Sequence, residues 1–137
     1  MPDAPSPDVT VLVVDDQPRF LSVARTVIDR APGFAFVGSA ADGAEAVDAV
    51  DRLAPQLVLM DIHMPVLDGI AATRTICERW PGTVVVLLSS YDRDDLPLEV
   101  ATSGAAGYLN KEELDATSVR RVWDGRATTG QAGGPAS

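Results

Sequence analysis

The chain has 137 residues, 46% of them hydrophobic, and a formal net charge of −9. That length fits one domain with a core that needs no metal or disulfide staple, and Cys77, the single cysteine, excludes an internal disulfide. The acidic balance argues against nucleic acid or an anionic membrane as a direct partner. No apolar stretch approaches the roughly 20 residues of a bilayer span, and the first residues do not read as a signal peptide, so the expected compartment is the cytoplasm.

Residues 1–8 hold three prolines and no core-forming residue except Met1, which predicts a disordered N-terminus ahead of a folded domain over 9–124. A first strand is expected over Thr10–Asp15. Pro18 suits the first turn of a helix, with Asp16 or Gln17 as its cap. Phe20, Leu21, Ala24, Val27 and Ile28 recur at helical spacing until Pro32-Gly33. Phe34–Ser39 reads as the second strand and Gly43–Leu53 as the second helix, with Val47, Val50 and Leu53 inward. Gln56–Asp61 is a continuous apolar run, the signature of a strand buried on both faces.

Met64–Gly69 reads as a turn, followed by a third helix with Ile70, Thr73, Ile76, Cys77 and Trp80 on one stripe up to Pro81-Gly82. Cys77 on that stripe reads as a core residue. Thr83–Ser89 is the fourth predicted strand. A fourth helix is capped by Asp94-Asp95, weakened by Pro97, Thr102 and Ser103, and ended by Gly104. Gly107–Asn110 is a short fifth strand. A fifth helix starts near Asp115 and turns Val119, Val122 and Trp123 inward. From Gly125 the tail, residues 125–137, is rich in Gly, Ala, Thr and Pro and reads as disordered.

Strict alternation of strands and helices predicts a doubly wound α/β fold, a parallel five-stranded sheet of order 2-1-3-4-5 with helices on both faces. The carboxyl ends of such strands share one edge, where ligands bind. Four predicted strands end on chemically distinct polar groups: Asp15-Asp16, Asp61, Ser89-Ser90 and Lys111, the only lysine of the chain. Each aspartate on its own reads equally well as a cap of the following helix. Together they are a candidate site for a hard cation and a phosphoryl group. Two carboxylates about 4 Å apart repel by about 4 kcal/mol at an effective dielectric near 20, and all-oxygen ligands select Mg²⁺, Mn²⁺ or Ca²⁺ over zinc. Lys111 can be a plain surface lysine or a donor to phosphoryl oxygens. Ser89 can simply end its strand. His63, the only histidine, reads as a loop residue, since no cysteine or second histidine lies near to build a zinc site. Tyr108 reads as a packing residue near the end of the fifth strand.

The wording of these segments resembles the receiver domains of bacterial two-component response regulators. The pieces that carry the resemblance are Val13-Val14-Asp15-Asp16, the run from Met60 to Gly69, Leu88-Ser89-Ser90, and the run from Gly104 to Lys111. Asp-x-x-Met-Pro-x-x-Asp-Gly and Gly-Ala-x-Gly-Tyr-Leu are most similar to receivers of the LuxR/NarL-like subfamily, which usually carries a helix-turn-helix domain not found in these residues. The resemblance implies the flavodoxin-like (βα)₅ fold and a role for each residue. Asp61 is the phosphoacceptor. Asp16 and Asp61 bind Mg²⁺, with Mn²⁺ as a possible substitute, Asp15 partly through water, and the backbone carbonyl of His63 completes the set. Ser89, the Ser90 N–H and Lys111 hold the phosphoryl oxygens, and Tyr108 moves with Ser89 as the switch. In sequence Glu112 follows Lys111 where many receivers have proline, so a differently built loop is expected there.

The implied function is a single-domain receiver. It takes phosphate from a histidine kinase or phosphotransfer protein and signals to a downstream protein through the face of helix 4, strand 5 and helix 5. Three alternatives stay open at this point: the receiver half of a longer DNA-binding regulator, an interaction module that is not phosphorylated, and a haloacid-dehalogenase-like phosphatase. The last wants a second aspartate two residues after its nucleophile, where this chain has His63.

Overall fold

The computed structural model describes residues 8–62, 64, 68–90 and 103–133, with side chains through 125. Among these residues the elements run β1 (Val9–Val14), α1 (Pro18–Arg30), β2 (Phe34–Ala40), α2 (Gly43–Leu53), β3 (Leu57–Asp61), α3 (Gly69–Arg79), β4 (Val84–Ser89), β5 (Gly107–Asn110), a 3₁₀ turn (Lys111–Glu113) and α4 (Ala116–Gly133). All four strand pairings are parallel, and the sheet order is β2-β1-β3-β4-β5. The doubly wound, flavodoxin-like arrangement expected from the sequence is therefore the one formed.

Two apolar layers follow from the two-residue period of a strand. Val11 and Val13, with Leu57, Leu59, Val86 and Leu88, face Ala24 and Ile28 of α1 and Val119 of α4. Leu12 and Val14, with Val58, Met60, Val85 and Leu87, face Ala46, Ala49 and Val50 of α2 and Ala72 and Ile76 of α3. The central strands are buried on both faces, which is why they read as unbroken apolar runs rather than alternating ones.

Most boundaries fall within a residue of those expected, and α2 and β5 coincide with them. The first helix has Gln17 rather than Asp16 at its N-cap, and that side chain makes no capping bond. Pro18 opens the helix instead, and Asp15 accepts from the Gln17 N–H at 2.8 Å. Asp42 caps α2 by accepting from the Glu45 N–H, and Asp68 caps α3 by accepting from the Ala71 N–H, each at 2.8 Å. Gly33 stands at φ 86°, a conformation open to glycine at no steric cost, which is how Pro32-Gly33 stops α1.

One expectation is corrected at the C-terminus. The helix was expected to end at Gly125, but α4 continues to Gly133. Gly125 and Gly130 each cost the helix about 1 kcal/mol without breaking it, and no proline intervenes before Pro135. Asp115 starts this helix as expected: its carboxylate accepts from the Ser118 N–H at 2.7 Å, and the Ser118 hydroxyl accepts from the Asp115 N–H at 2.9 Å. The predicted fourth helix falls almost wholly outside the described residues. After Lys111 the chain enters the 3₁₀ turn with no cis peptide bond among the described residues, and the Glu112 N–H donates to Asn110 Oδ1 at 2.8 Å. Proline at 112 would lack that donor, so this turn requires a residue with a backbone N–H there.

Cys77 is half-buried, and its thiol lies 3.4 Å from the Gly104 carbonyl oxygen as donor. Burial pushes the thiol above its ordinary value of 9.0. The unfolded thiol therefore ionises first, and the stability linked to this group falls as pH rises through 9.0 toward the folded value. Iodoacetamide at pH 8 should alkylate Cys77 several-fold more slowly in the native protein than in urea. Equal rates would show an open thiol.

Candidate functional site: an acidic edge with one ammonium

Three neighbouring strands deliver the site to the carboxyl edge of the sheet. Val14 pairs with Met60, so Asp15 follows β1 beside Asp61 at the end of β3. Asp61 pairs with Leu88, so Ser89 lies one step beyond it on β4. Ser89 pairs with Asn110, which places Lys111 immediately past β5. Parallel register alone thus gathers the strand-end residues that are scattered in sequence.

Ligand oxygens of Asp15, Asp16 and Asp61 all lie within 4.8 Å of one another. Asp15 is fully buried and Asp61 is 5% exposed, while Asp16 is open to solvent. The Lys111 ammonium stands 2.5 Å from Asp15 Oδ2 and 3.5 Å from Asp61 Oδ1, with its side chain only 12% exposed. Asp15 Oδ2 has no hydrogen-bond partner among the described residues, so the ion pair with Lys111 is what compensates it. One ammonium against three clustered carboxylates leaves a negative excess, two of whose carriers are buried. That donor set, all oxygen and under-neutralised, fits a divalent hard cation.

Of the remaining predicted site residues, Ser89 is buried, Ser90 is exposed and Tyr108 is half-buried against the α2/α3 layer. His63 lies outside the described residues, as do residues 65–67 of the expected turn. Three further residues belong to the site region, although the sequence offered them only as motif or helical-stripe positions. Gly69 opens α3 directly behind Asp61: its N–H donates to the Ile62 carbonyl at 2.9 Å, and a Cβ placed on it would stand 2.0 Å from the Asp61 carbonyl oxygen. Thr73 is fully buried and donates to the Gly69 carbonyl at 2.6 Å. Phe20 lies with its ring centroid 4.8 Å from the Lys111 ammonium. Phe20 and Thr73 sit on apolar helical stripes, where nothing in sequence separates a site neighbour from a core residue.

A family description, the response regulator receiver domain, matches residues 11–122. The chain belongs to that family. It is the receiver domain of a response regulator, and receiver domains as a family are phosphorylated on aspartate, bind Mg²⁺ at an acidic pocket and interact with histidine kinases or phosphotransfer proteins; in this chain Asp15, Asp16 and Asp61 form an acidic cluster. The receiver is 34% identical over 111 residues to the transcriptional regulatory protein DegU of Brevibacillus brevis, a match that covers 81% of this chain and 47% of that protein. The chain spans less than half the length of the curated relatives it matches. Among solved structures it is similar to the receiver domain of NarL from Mycobacterium tuberculosis, with a TM-score of 0.79 and 30% identity over 88% of this chain and 98% of that one. It is also similar to a chain of the CheX–CheY–BeF₃–Mg²⁺ complex from Borrelia burgdorferi, with a TM-score of 0.70 and 31% identity over 82% and 84% of the two chains. Among the described residues no helix is long and apolar enough to cross a membrane.

Proposed function

We propose that the receiver accepts its phosphoryl group on Asp61, from a histidine kinase or phosphotransfer protein of the cytoplasm, and passes the signal to a downstream protein. The observation that carries this reading is the position of Asp61. It ends the central strand with its carboxylate beside both the Asp15–Asp16 pair and the one ammonium of the edge.

A carboxylate oxygen of Asp61 attacks phosphorus. The new O–P bond forms as the P–N bond to the donor histidine breaks, and the imidazole leaves with that electron pair and is protonated. Lys111 offers an ammonium to the incoming phosphoryl oxygens without carrying an acceptor of its own. Ser89 supplies a hydroxyl from the adjacent strand end, and the Ser90 N–H a further donor. Asp15 and Asp16, with Asp61, are the residues that would hold Mg²⁺ or Mn²⁺, together with the backbone carbonyl of His63. When bound, the cation neutralises charge on the phosphoryl oxygens. Ser89 and Lys111, drawn toward a phosphoryl group, free room for Tyr108 to move, and this alters the face made by the segment between β4 and β5, by β5 and by α4.

Acetyl phosphate with Mg²⁺ should add one phosphoryl group to the intact protein, read by mass spectrometry. An unmodified mass after complete incubation would overturn the reading. The greater length of DegU supports a second reading, in which this receiver controls a longer DNA-binding regulator; the gene sequence past Ser137 separates the two.

The cation is tested separately. A ligand bound only by the folded state stabilises it by mass action, by about 1.4 kcal/mol at roughly tenfold excess over Kd. For a domain of this size that is a rise of about 5 °C in Tm. Mg²⁺ should produce such a rise in the parent and a much smaller one in Asp16→Ala, as measured by differential scanning calorimetry. An equal rise in both would place the cation elsewhere.

A further inference from the structure

Lysine carries its charge on a flexible four-carbon stem with three rotatable donors, yet the Lys111 side chain is 12% exposed and reaches two carboxylates at once. Electrostatic attraction to Asp15 and Asp61 accounts for one side of that placement. The other side is Phe20, whose ring centroid is 4.8 Å from the ammonium. That distance is within the range in which a ring face attracts a cation. Phe20 is half-buried in the first turn of α1 and packs against the α1/α4 layer. Its position is set by Pro18 at the helix start and by the Asp15–Gln17 bond that fixes the turn before it. A ring face holds an ammonium by its quadrupole but has no lone pair on a heteroatom to capture the N–H donors. Phe20 can therefore restrain Lys111 and still leave those donors for phosphoryl oxygens, which a third carboxylate at the same place would not do.

We propose that Phe20 is a positioning residue for phosphoryl transfer, holding the Lys111 ammonium at the acidic edge through its ring face. This rests on the reading of Lys111 as a phosphoryl-binding group. It adds to that reading a residue which touches neither the phosphoryl group nor the cation.

Because Lys111 is the only lysine, isotope-labelled lysine reports on this one side chain. In the parent, the ring current of Phe20 should shift the Lys111 ε-methylene protons upfield of free lysine. The shift should vanish in Phe20→Leu and persist in Phe20→Tyr. The initial rate of phosphorylation by acetyl phosphate with Mg²⁺ should fall about fivefold in Phe20→Leu and stay within about twofold of the parent in Phe20→Tyr. Melting curves on all three proteins separate this from packing, because a packing role follows stability and a positioning role follows the ring. An unshifted lysine signal in the parent overturns the proposal without any variant, even if Phe20→Leu fails to fold. A Phe20→Leu protein that keeps the parent's rate overturns it as well. If the parent is not phosphorylated, the function proposed above fails, and the lysine signal still decides whether Phe20 holds Lys111.

Discussion

Asp61→Asn should abolish phosphorylation by acetyl phosphate while leaving the fold intact. The substitution preserves the shape of the side chain and removes its charge, and a neutral amide oxygen is a far weaker nucleophile than a carboxylate. The loss should be total within the sensitivity of intact-mass measurement. Stability should not suffer. Asp61 is one of three clustered carboxylates facing a single ammonium, so its neutralisation relieves repulsion in the cation-free protein. Tm without Mg²⁺ should equal or exceed that of the parent, and the rise on adding Mg²⁺ should shrink. If the Asn protein takes up phosphate as readily as the parent, the acceptor is another residue. Asp15 and Asp16 would then be examined next by the same substitution.

The second large effect concerns Gly69. A methyl group there would stand 2.0 Å from the backbone oxygen of Asp61, with the Asp61 carbonyl carbon and Ile62 Cα at 2.9 Å. These are main-chain atoms at the end of the central strand and cannot turn aside as a side chain does. Either α3 withdraws from the sheet or the end of β3 shifts, and both disturb the contact that places Asp61. Forced overpacking of this kind costs typically 1–3 kcal/mol and occasionally more. Since the obstacle is backbone, Gly69→Ala should cost about 3 kcal/mol, a fall of about 10 °C in Tm for a domain of this length. Phosphorylation should slow as well, because the acceptor is carried on the strand end that must yield. A Gly69→Ala protein with the Tm and rate of the parent would show that α3 does not press on Asp61 in solution.

Much of this molecule was legible in its amino-acid order, for reasons that can be named. Val11–Val14, Leu57–Met60 and Val84–Leu88 read as buried strands because a strand covered on both faces has no polar position to interrupt it. Pro32-Gly33 and Pro81-Gly82 marked helix ends because proline and glycine restrict or release the backbone locally. The acidic edge was legible because a parallel sheet carries every strand end to the same side. Asp15, Asp61, Ser89 and Lys111 could thus be grouped before any distance was known. The extent of α4 was not legible, since Gly125 looks the same whether a helix stops there or runs through at a small cost.

The amino-acid sequence by itself determined the order of elements, the strand-end residues and the family resemblance, all of which depend on local periodicity and short motifs. Only the tertiary structure decided which charges compensate one another and what restrains them. Lys111 lies closer to Asp15 than to Asp61, Gly69 presses on the carbonyl of Asp61, and the ring of Phe20 meets the ammonium of Lys111. The contacts of Lys111 join elements far apart in the chain, that of Gly69 joins two consecutive ones, and all of these distances depend on how helices pack against the sheet. Packing of that kind answers to the shape and volume of the whole core, and no local pattern of residues encodes it.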